Sequence, residues 1–142
     1  IYPNQKVNVP LIDRIKAIEH DVIQLCNQER AKNGLGPLRP DWQVSRVARH
    51  KSQDMRDKNY FSHTSPTYGS PFDMLRNYNI TYRSAGENIA MGQRNPEEVV
   101  RAWMNSQGHR QNILNPNYTH IGVGYAEGGT GGRYWTQMFI SR

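Results

Sequence analysis

Two histidines and one glutamate are the residues whose types and settings could support chemistry. Glu87 is the only charged residue in the segment "SAGENIAMG" at residues 84–92, where most neighbours are small or apolar. A carboxylate is seldom buried in such surroundings unless another group pairs with it. His63 follows two aromatic residues in "YFSHTSP", and His109 follows a glycine in "QGHRQNIL". If the three side chains converge, they could hold a divalent ion beside water or share protons without a metal.

Each of the three residues also has a purely structural interpretation. A single histidine is more often hydrogen-bonded within the fold than bound to a ligand. Glu87 could accept bonds from the backbone amides of an irregular segment that contains Gly86 and Asn88. Serines flank His63, but the chain has no Gly-x-Ser-x-Gly motif, which disfavours a serine hydrolase. The spacing alone therefore leaves convergence open.

Helices are predicted for segments on both sides of these residues. Apolar residues at helical spacing predict a first helix from Pro10 to Asn33, and Asp41 caps a second helix. The segment "GLGPLRP" between them is predicted to be a connector. A short helix is expected to begin at Ser70, and another is expected to begin at Asn95. The segment "QGHRQNIL" adds about one further helical turn.

The other segments are predicted to be loops and strands. Residues 59–70 form a loop by composition, and residues 80–90 are ambiguous between strand and irregular structure. Residues 118–126 and 133–141 show strand patterns on either side of "GGTGG", so we expect an antiparallel hairpin. Trp103 should be buried where its helix packs on this sheet. Helices around a small antiparallel sheet make an α+β domain.

Composition limits the classes of protein to which this chain can belong. Its 142 residues are the size of one domain, and its net charge of +6 suits a protein near anionic polymers. No recognised nucleic-acid motif accompanies that charge, so we do not expect sequence-specific nucleic-acid binding. No apolar run approaches the roughly 20 residues that a membrane-spanning helix needs. Cys26 is the only cysteine, which excludes an internal disulfide, and its helical spacing predicts a buried thiol.

Five motifs in order resemble the CAP superfamily, also called SCP/TAPS, which includes cysteine-rich secretory proteins and plant pathogenesis-related proteins of type 1. They are "YFSHTSP", "AGENIAMG", "VVRAWMNSQGHRQNIL", "IGVGYA" and "YWTQMF". The sequence is most similar to the bacterial branch of secreted and spore-associated members. The resemblance covers residues 19–142, beginning with the segment "EHDVIQLCNQERAKNGLGPL". Residues 1–18 are then an N-terminal extension and the start of the first helix.

The resemblance implies a three-layer α-β-α sandwich, with a central antiparallel sheet between helical layers and a polar cleft on one side. In eukaryotic relatives, two histidines and two glutamates of this cleft can hold zinc. Matched by motif, the first histidine is His63 and the first glutamate is Glu87. Ser106 stands at the second glutamate position and Tyr134 at the second histidine position, so both are candidate cleft neighbours. His109 is the candidate for the missing imidazole. We expect Glu87 at the cleft floor, satisfied by a histidine and backbone amides.

The resemblance leads to two hypotheses for function. The first is a monomeric module, secreted or in the cell envelope or attached to a spore, that binds a wall component, a lipid or a protein partner through the His/Glu cleft. The second is a metal-dependent hydrolase in which His63, Glu87 and His109 hold the ion or share acid-base work. The catalytic role of each residue stays open, and the absent second acid favours the binding module. We expect no required cofactor, and only weak, pH-dependent binding of a divalent ion such as zinc.

Overall fold

The structure, a computed structural model, describes residues 9–142. The helices are α1 (Leu11–Lys32), α2 (Trp42–Lys58), α3 (Pro71–Asn77), α4 (Pro96–Met104) and α5 (Gln107–Ile113), and the strands are β1 (Arg39–Pro40), β2 (Ser84–Met91), β3 (His120–Gly128) and β4 (Gly132–Ser141). Within the predicted N-terminal extension, residues 1–8 lie outside the described residues. Residues 9–142 contain no helix with the length and apolar character that a membrane span requires.

Side-chain caps fix where three of these helices begin. At the start of α2, the Asp41 carboxylate accepts hydrogen bonds from two backbone amides of the first turn. Ser70 and Asp73 form a reciprocal capping box at the start of α3, and Asn95 accepts from the Glu98 amide at the start of α4. These contacts confirm the predicted helix starts. The segment predicted to add about one turn forms α5, a helix of seven residues.

The four strands form one sheet in the order β1-β3-β4-β2. β3 and β4 pair antiparallel around the glycine-rich turn, which confirms the predicted hairpin. Most of the ambiguous segment at residues 80–90 belongs to β2, which pairs antiparallel with β4. The prediction of a connector was wrong at Arg39 and Pro40, because these residues form β1, parallel to β3. Two residues are too few to show a periodic pattern, and they make the sheet mixed at this edge.

The sheet lies between two helical layers, which confirms the predicted α-β-α sandwich. Along β4, Trp135 and Phe139 belong to the core shared with α1, α4 and α5. Met138 and Ile140 point to the opposite face and pack with α2 and α3. Cys26 of α1 is fully buried in the first of these cores, as its spacing predicted.

Two glycines of β3 allow α2 to lie close against the sheet. A Cβ atom at Gly122 would collide with the backbone nitrogen of Ser45, and one at Gly124 would collide with the backbone nitrogen of Arg49. Any larger residue at either position would push the helix away from the strand. The close approach brings the middle of α2 over the sheet, where Lys51 can reach a side chain of β2.

Trp103 lies at the contact between α4 and the sheet and is 1% exposed, as predicted. Its Nε1 donates a hydrogen bond of 3.1 Å to the Ile89 carbonyl oxygen. We expect Trp103→Ala to lower the free energy of unfolding by about 3–5 kcal/mol, because it leaves a cavity and an unpaired carbonyl. Trp42→Ala, at a tryptophan that is 62% exposed, is the control and should cost about 0.5 kcal/mol or less. Urea denaturation measures both variants, and a loss below about 1 kcal/mol for Trp103→Ala would contradict its core placement.

Candidate functional site

Glu87 lies on β2 with its carboxylate buried beside the loop that contains His63. Its Oε1 accepts a hydrogen bond of 2.7 Å from His63 Nδ1 and lies 3.7 Å from the Lys51 ammonium. Glu87 is 7% exposed and Lys51 is 1% exposed. The predicted contact between this carboxylate and a histidine is confirmed. The expectation that backbone amides would supply the other contact was wrong, since among the described residues a buried lysine supplies it.

The Lys51 ammonium makes three different contacts inside the protein. It faces Glu87, donates a hydrogen bond to the His63 carbonyl oxygen, and lies 5.9 Å from the centre of the Tyr60 ring. Burial lowers the pKa of Lys51, and the negative charge of Glu87 opposes that shift. The lysine therefore compensates the charge of the carboxylate and also ties the His63 loop to α2.

Asp54, another residue of α2, fixes the loop on both sides of His63. Its Oδ2 accepts hydrogen bonds from the Tyr60 hydroxyl at 2.5 Å and from the Ser65 hydroxyl at 2.6 Å. Burial raises the pKa of Asp54, but the hydrogen bonds from Ser65 and Tyr60, together with the nearby Lys58 ammonium, outweigh burial, and the net shift is downward. The loop is therefore anchored to α2 at Tyr60, before His63, and at Ser65, after it. The His63 side chain is thus held in place while 54% of it stays exposed.

His109 is placed by buried amide side chains at the edge of the sheet. The Asn88 amide donates a hydrogen bond of 3.0 Å to the His109 carbonyl oxygen and also bonds to a buried glutamine of β4. Asn112 of α5 donates to the Glu87 carbonyl oxygen and to the Asn88 side chain. These bonds hold α5 against β2, the edge strand. Burial lowers the pKa of His109, and the charge of the neighbouring His63 lowers it further.

The three predicted site residues differ in how they meet. His63 and Glu87 are in direct contact, whereas His109 makes no side-chain hydrogen bond to either of them within residues 9–142. Two buried atoms of the site, Glu87 Oε2 and His109 Nδ1, have no hydrogen-bond partner in the described part of the chain. Glu87 Oε2 can accept a hydrogen bond, whereas His109 Nδ1 can donate or accept one, depending on its tautomer. The site therefore combines the hydrogen-bonded pair of His63 and Glu87 with two buried polar atoms that have no hydrogen-bond partner among the described residues.

The two candidate neighbours occupy different environments. Ser106 is half-buried at the start of α5, and its side chain makes no capping hydrogen bond. Tyr134 is 1% exposed and belongs to a small apolar cluster with Met55 and Ile89. The Tyr134 hydroxyl accepts a hydrogen bond from the Gly131 amide. Tyr134 is therefore a core residue whose polar atom is already engaged in the hairpin turn.

The described residues do not form a closed metal site around Glu87. Glu87 accepts from His63 and faces the Lys51 ammonium, whose charge repels a cation. Among residues 9–142, no group of three His, Cys, Asp or Glu side chains is arranged to hold a metal ion. The imidazoles of His63 and His109 would be the protein ligands, and Glu87 would orient His63 from behind. An ion held by two imidazoles and water would act as a Lewis acid and exchange readily.

Sequence reasoning missed Lys51, although the sequence carried a signal. The apolar side of the second helix includes Val44, Ala48 and Met55, and position 51 falls on the same side at helical spacing. A lysine inside an apolar stripe needs a buried acid as its partner. Glu87, an isolated acid among apolar residues, was the matching candidate.

A comparison with protein families gives the same assignment as the motifs. Residues 23–139 match the family described as CAP, the cysteine-rich secretory protein family. The chain belongs to the CAP family. The matched range begins within α1, ends within β4 and includes His63, Glu87 and His109.

Similar proteins come from several bacteria. The Bacillus subtilis protein YkwD is 62% identical over 128 residues, which are 90% of this chain and 49% of YkwD. The crystal structure of an extracellular protein containing an SCP domain, from Bacillus anthracis, is 35% identical with a TM-score of 0.82, covering 97% of this chain and 45% of that one. An outer surface protein of Borrelia burgdorferi shares the fold at 20% identity, with a TM-score of 0.77 and coverage of 97% and 99%. The chain spans about half the length of the two Bacillus relatives.

We expect Lys51→Met to lower the free energy of unfolding by about 3–5 kcal/mol, since it leaves Glu87 inside the fold without its ion-pair partner. Glu87→Gln in the same chain removes that charge and should recover part of the loss. Urea denaturation of the wild type, both single variants and the double variant measures the coupling between the two residues. Strictly additive losses would show that the two side chains do not interact.

Proposed function

We propose that this chain is an extracellular or cell-envelope module that binds a wall component through the cleft at His63, Glu87 and His109. Membership of the CAP family supports the type of module. The locations of two relatives support the compartment, since one is described as extracellular and another as an outer surface protein. Attachment to a spore surface would be a narrower case of the same proposal. A lipid or protein partner is the alternative occupant, and the polar side chains of the cleft favour a polar wall component over a lipid.

The observation that carries this proposal is the exposed imidazole of His63, which is hydrogen-bonded to the buried ion pair of Glu87 and Lys51. A carboxylate only accepts hydrogen bonds, so His63 Nδ1 donates to Glu87, and the neutral ring presents Nε2 as an acceptor. Protonation would turn the same atom into a donor for an anionic group. Since Lys51 and Asp54 anchor the loop, the imidazole is already ordered before a ligand arrives. Little conformational freedom is then lost on binding.

The alternative function is a metal-dependent hydrolase that uses His63, Glu87 and His109. Catalytic zinc sites usually have three protein ligands and one open position. Residues 9–142 offer no group of three such ligands, so the geometry favours binding over hydrolysis. Hydrolysis without a metal would depend on the His63–Glu87 pair as a general base.

We expect the protein to bind purified Gram-positive cell-wall sacculi, and His63→Ala to weaken that binding by about tenfold. The expected size corresponds to the loss of one central polar contact. His120→Ala is the matched control, because it removes a half-buried histidine from β3, two strands away from β2. Co-sedimentation with increasing amounts of sacculi gives the affinities. Equal binding by wild type and His63→Ala would rule out the cleft as the wall-binding site.

We also propose that zinc binds weakly at the two imidazoles and is not needed for folding. Protons compete with zinc for imidazole nitrogens, so the affinity should fall as the pH is lowered, and burial lowers the pKa of His109, which keeps that ring neutral further into the acidic range. Calorimetric titration at pH 7.5 and 5.5 measures the affinity, with His63→Asn as the control. Thermal melts in chelator should match those without it. A large loss of melting temperature on chelation would show a structural metal instead.

A further inference from the structure

An exposed tryptophan marks a groove between α1 and α2. Trp42 is 62% exposed, and its ring stacks on His20 with ring centres 6.2 Å apart and 29° between the planes. The groove has a volume of about 520 Å³. A tryptophan this open removes little apolar area from water, so packing within the fold does not account for its position.

The walls of this groove are cationic. Lys16, Arg46 and Arg49 line it, and Glu19 is its only acidic lining residue among those described. The Glu19 carboxylate is already used, since it accepts hydrogen bonds of 2.6 and 2.9 Å from Arg49 and one of 3.0 Å from the Tyr125 amide. Lys16 and Arg46 are exposed and form no ion pair within residues 9–142. The groove thus offers uncompensated positive charge beside a flat aromatic surface.

A ligand that uses both features must combine an apolar face with a negative charge. A pyranose ring has a face of C–H bonds that can pack on the electron-rich face of a tryptophan. A carboxylate or phosphate on the same sugar would be attracted to Arg46 and Lys16. Single-stranded nucleic acids usually stack successive bases on several aromatic side chains, whereas this groove is lined by one tryptophan and one histidine.

We propose that the groove formed by Lys16, His20, Trp42 and Arg46 binds an anionic glycan. A sugar ring stacks on Trp42, and Arg46 and Lys16 hold the carboxylate or phosphate of the glycan.

This site is separate from the cleft at Glu87. Trp42 is the first residue of α2, and the loop that carries His63 follows the end of the same helix at Lys58. Lys51, the residue of α2 that contacts Glu87, follows Trp42 by nine residues, which is about 14 Å along the helix axis. The proposed glycan site therefore does not depend on the function proposed for the cleft.

The fluorescence of Trp42 provides the test, because Trp103 and Trp135, the other two tryptophans, are 1% and 0% exposed. The full chain is titrated with a tetrasaccharide of alternating N-acetylglucosamine and N-acetylmuramic acid, which carries carboxylates. The emission of Trp42 should change on binding. The tetramer of N-acetylglucosamine has no carboxylate and should bind about tenfold more weakly.

Four variants assign the signal to the groove. Trp42→Ala removes the fluorescent reporter, so its affinity is measured by calorimetric titration and should fall below detection. Arg46→Gln should reduce the affinity for the charged tetramer to that for the neutral one. Arg83→Gln removes an exposed arginine outside the groove and should have no effect. Glu87→Gln alters the cleft alone and should also leave the titration unchanged, which separates this test from that of the cleft.

Results of three kinds would overturn the proposal. The first is an equal affinity for the charged and the neutral tetramer, or an unchanged affinity in Arg46→Gln. The second is tighter binding of an eight-nucleotide thymidine oligomer, which would assign the groove to single-stranded nucleic acid. The third is protection of Trp42 from acrylamide quenching in the free full chain, which would show that residues 1–8 or a second copy already cover the groove.

Discussion

The carboxylate of Glu87 brings a negative charge into the edge of the sheet, and the surrounding elements supply what that charge needs. Lys51 contributes the opposite charge from α2, and His63 contributes a hydrogen-bond donor from the following loop. A buried ion pair of this kind costs desolvation on both sides, and it is strongly destabilising to break by removing one partner. The three residues therefore act as one unit. Their arrangement explains how a largely exposed imidazole can be held in a fixed orientation.

The packing of the helices on the sheet determines whether this unit can form. Gly122 and Gly124 leave room for α2 to approach β3, and the approach sets the distance from Lys51 to β2. On the other side, Asn88 and Asn112 hold α5 against the edge strand and fix the backbone at His109. The contacts that build the two cores thus also position Lys51, Glu87 and the backbone at His109. The exposed aromatic groove lies toward the start of α2, on the side of that helix that faces α1.

The parts of the fold with local signals were predictable from the sequence. The cap at Asp41 and the glycine-rich turn placed a helix and a hairpin, and the motif match placed His63 beside Glu87. The strand β1 was missed because its pairing depends on β3, which lies far along the chain, and not on its own two residues. Lys51 was missed because a lysine on a helix is usually exposed, and its place on the apolar side of α2 was not weighed against that expectation. The surroundings of His109 likewise depend on amide contacts between distant segments.

The most direct test of the arrangement at Glu87 is nitrogen-15 NMR of the His63 side chain, at a pH where the imidazole is neutral. The tautomer of a histidine is set by the hydrogen bond that its other nitrogen makes. With Nδ1 donating to Glu87, the spectrum should show the proton on Nδ1 and a free lone pair on Nε2, and Glu87→Ala should remove that preference. A proton on Nε2 in the wild type, or the same tautomer in Glu87→Ala, would contradict the proposed role of Glu87.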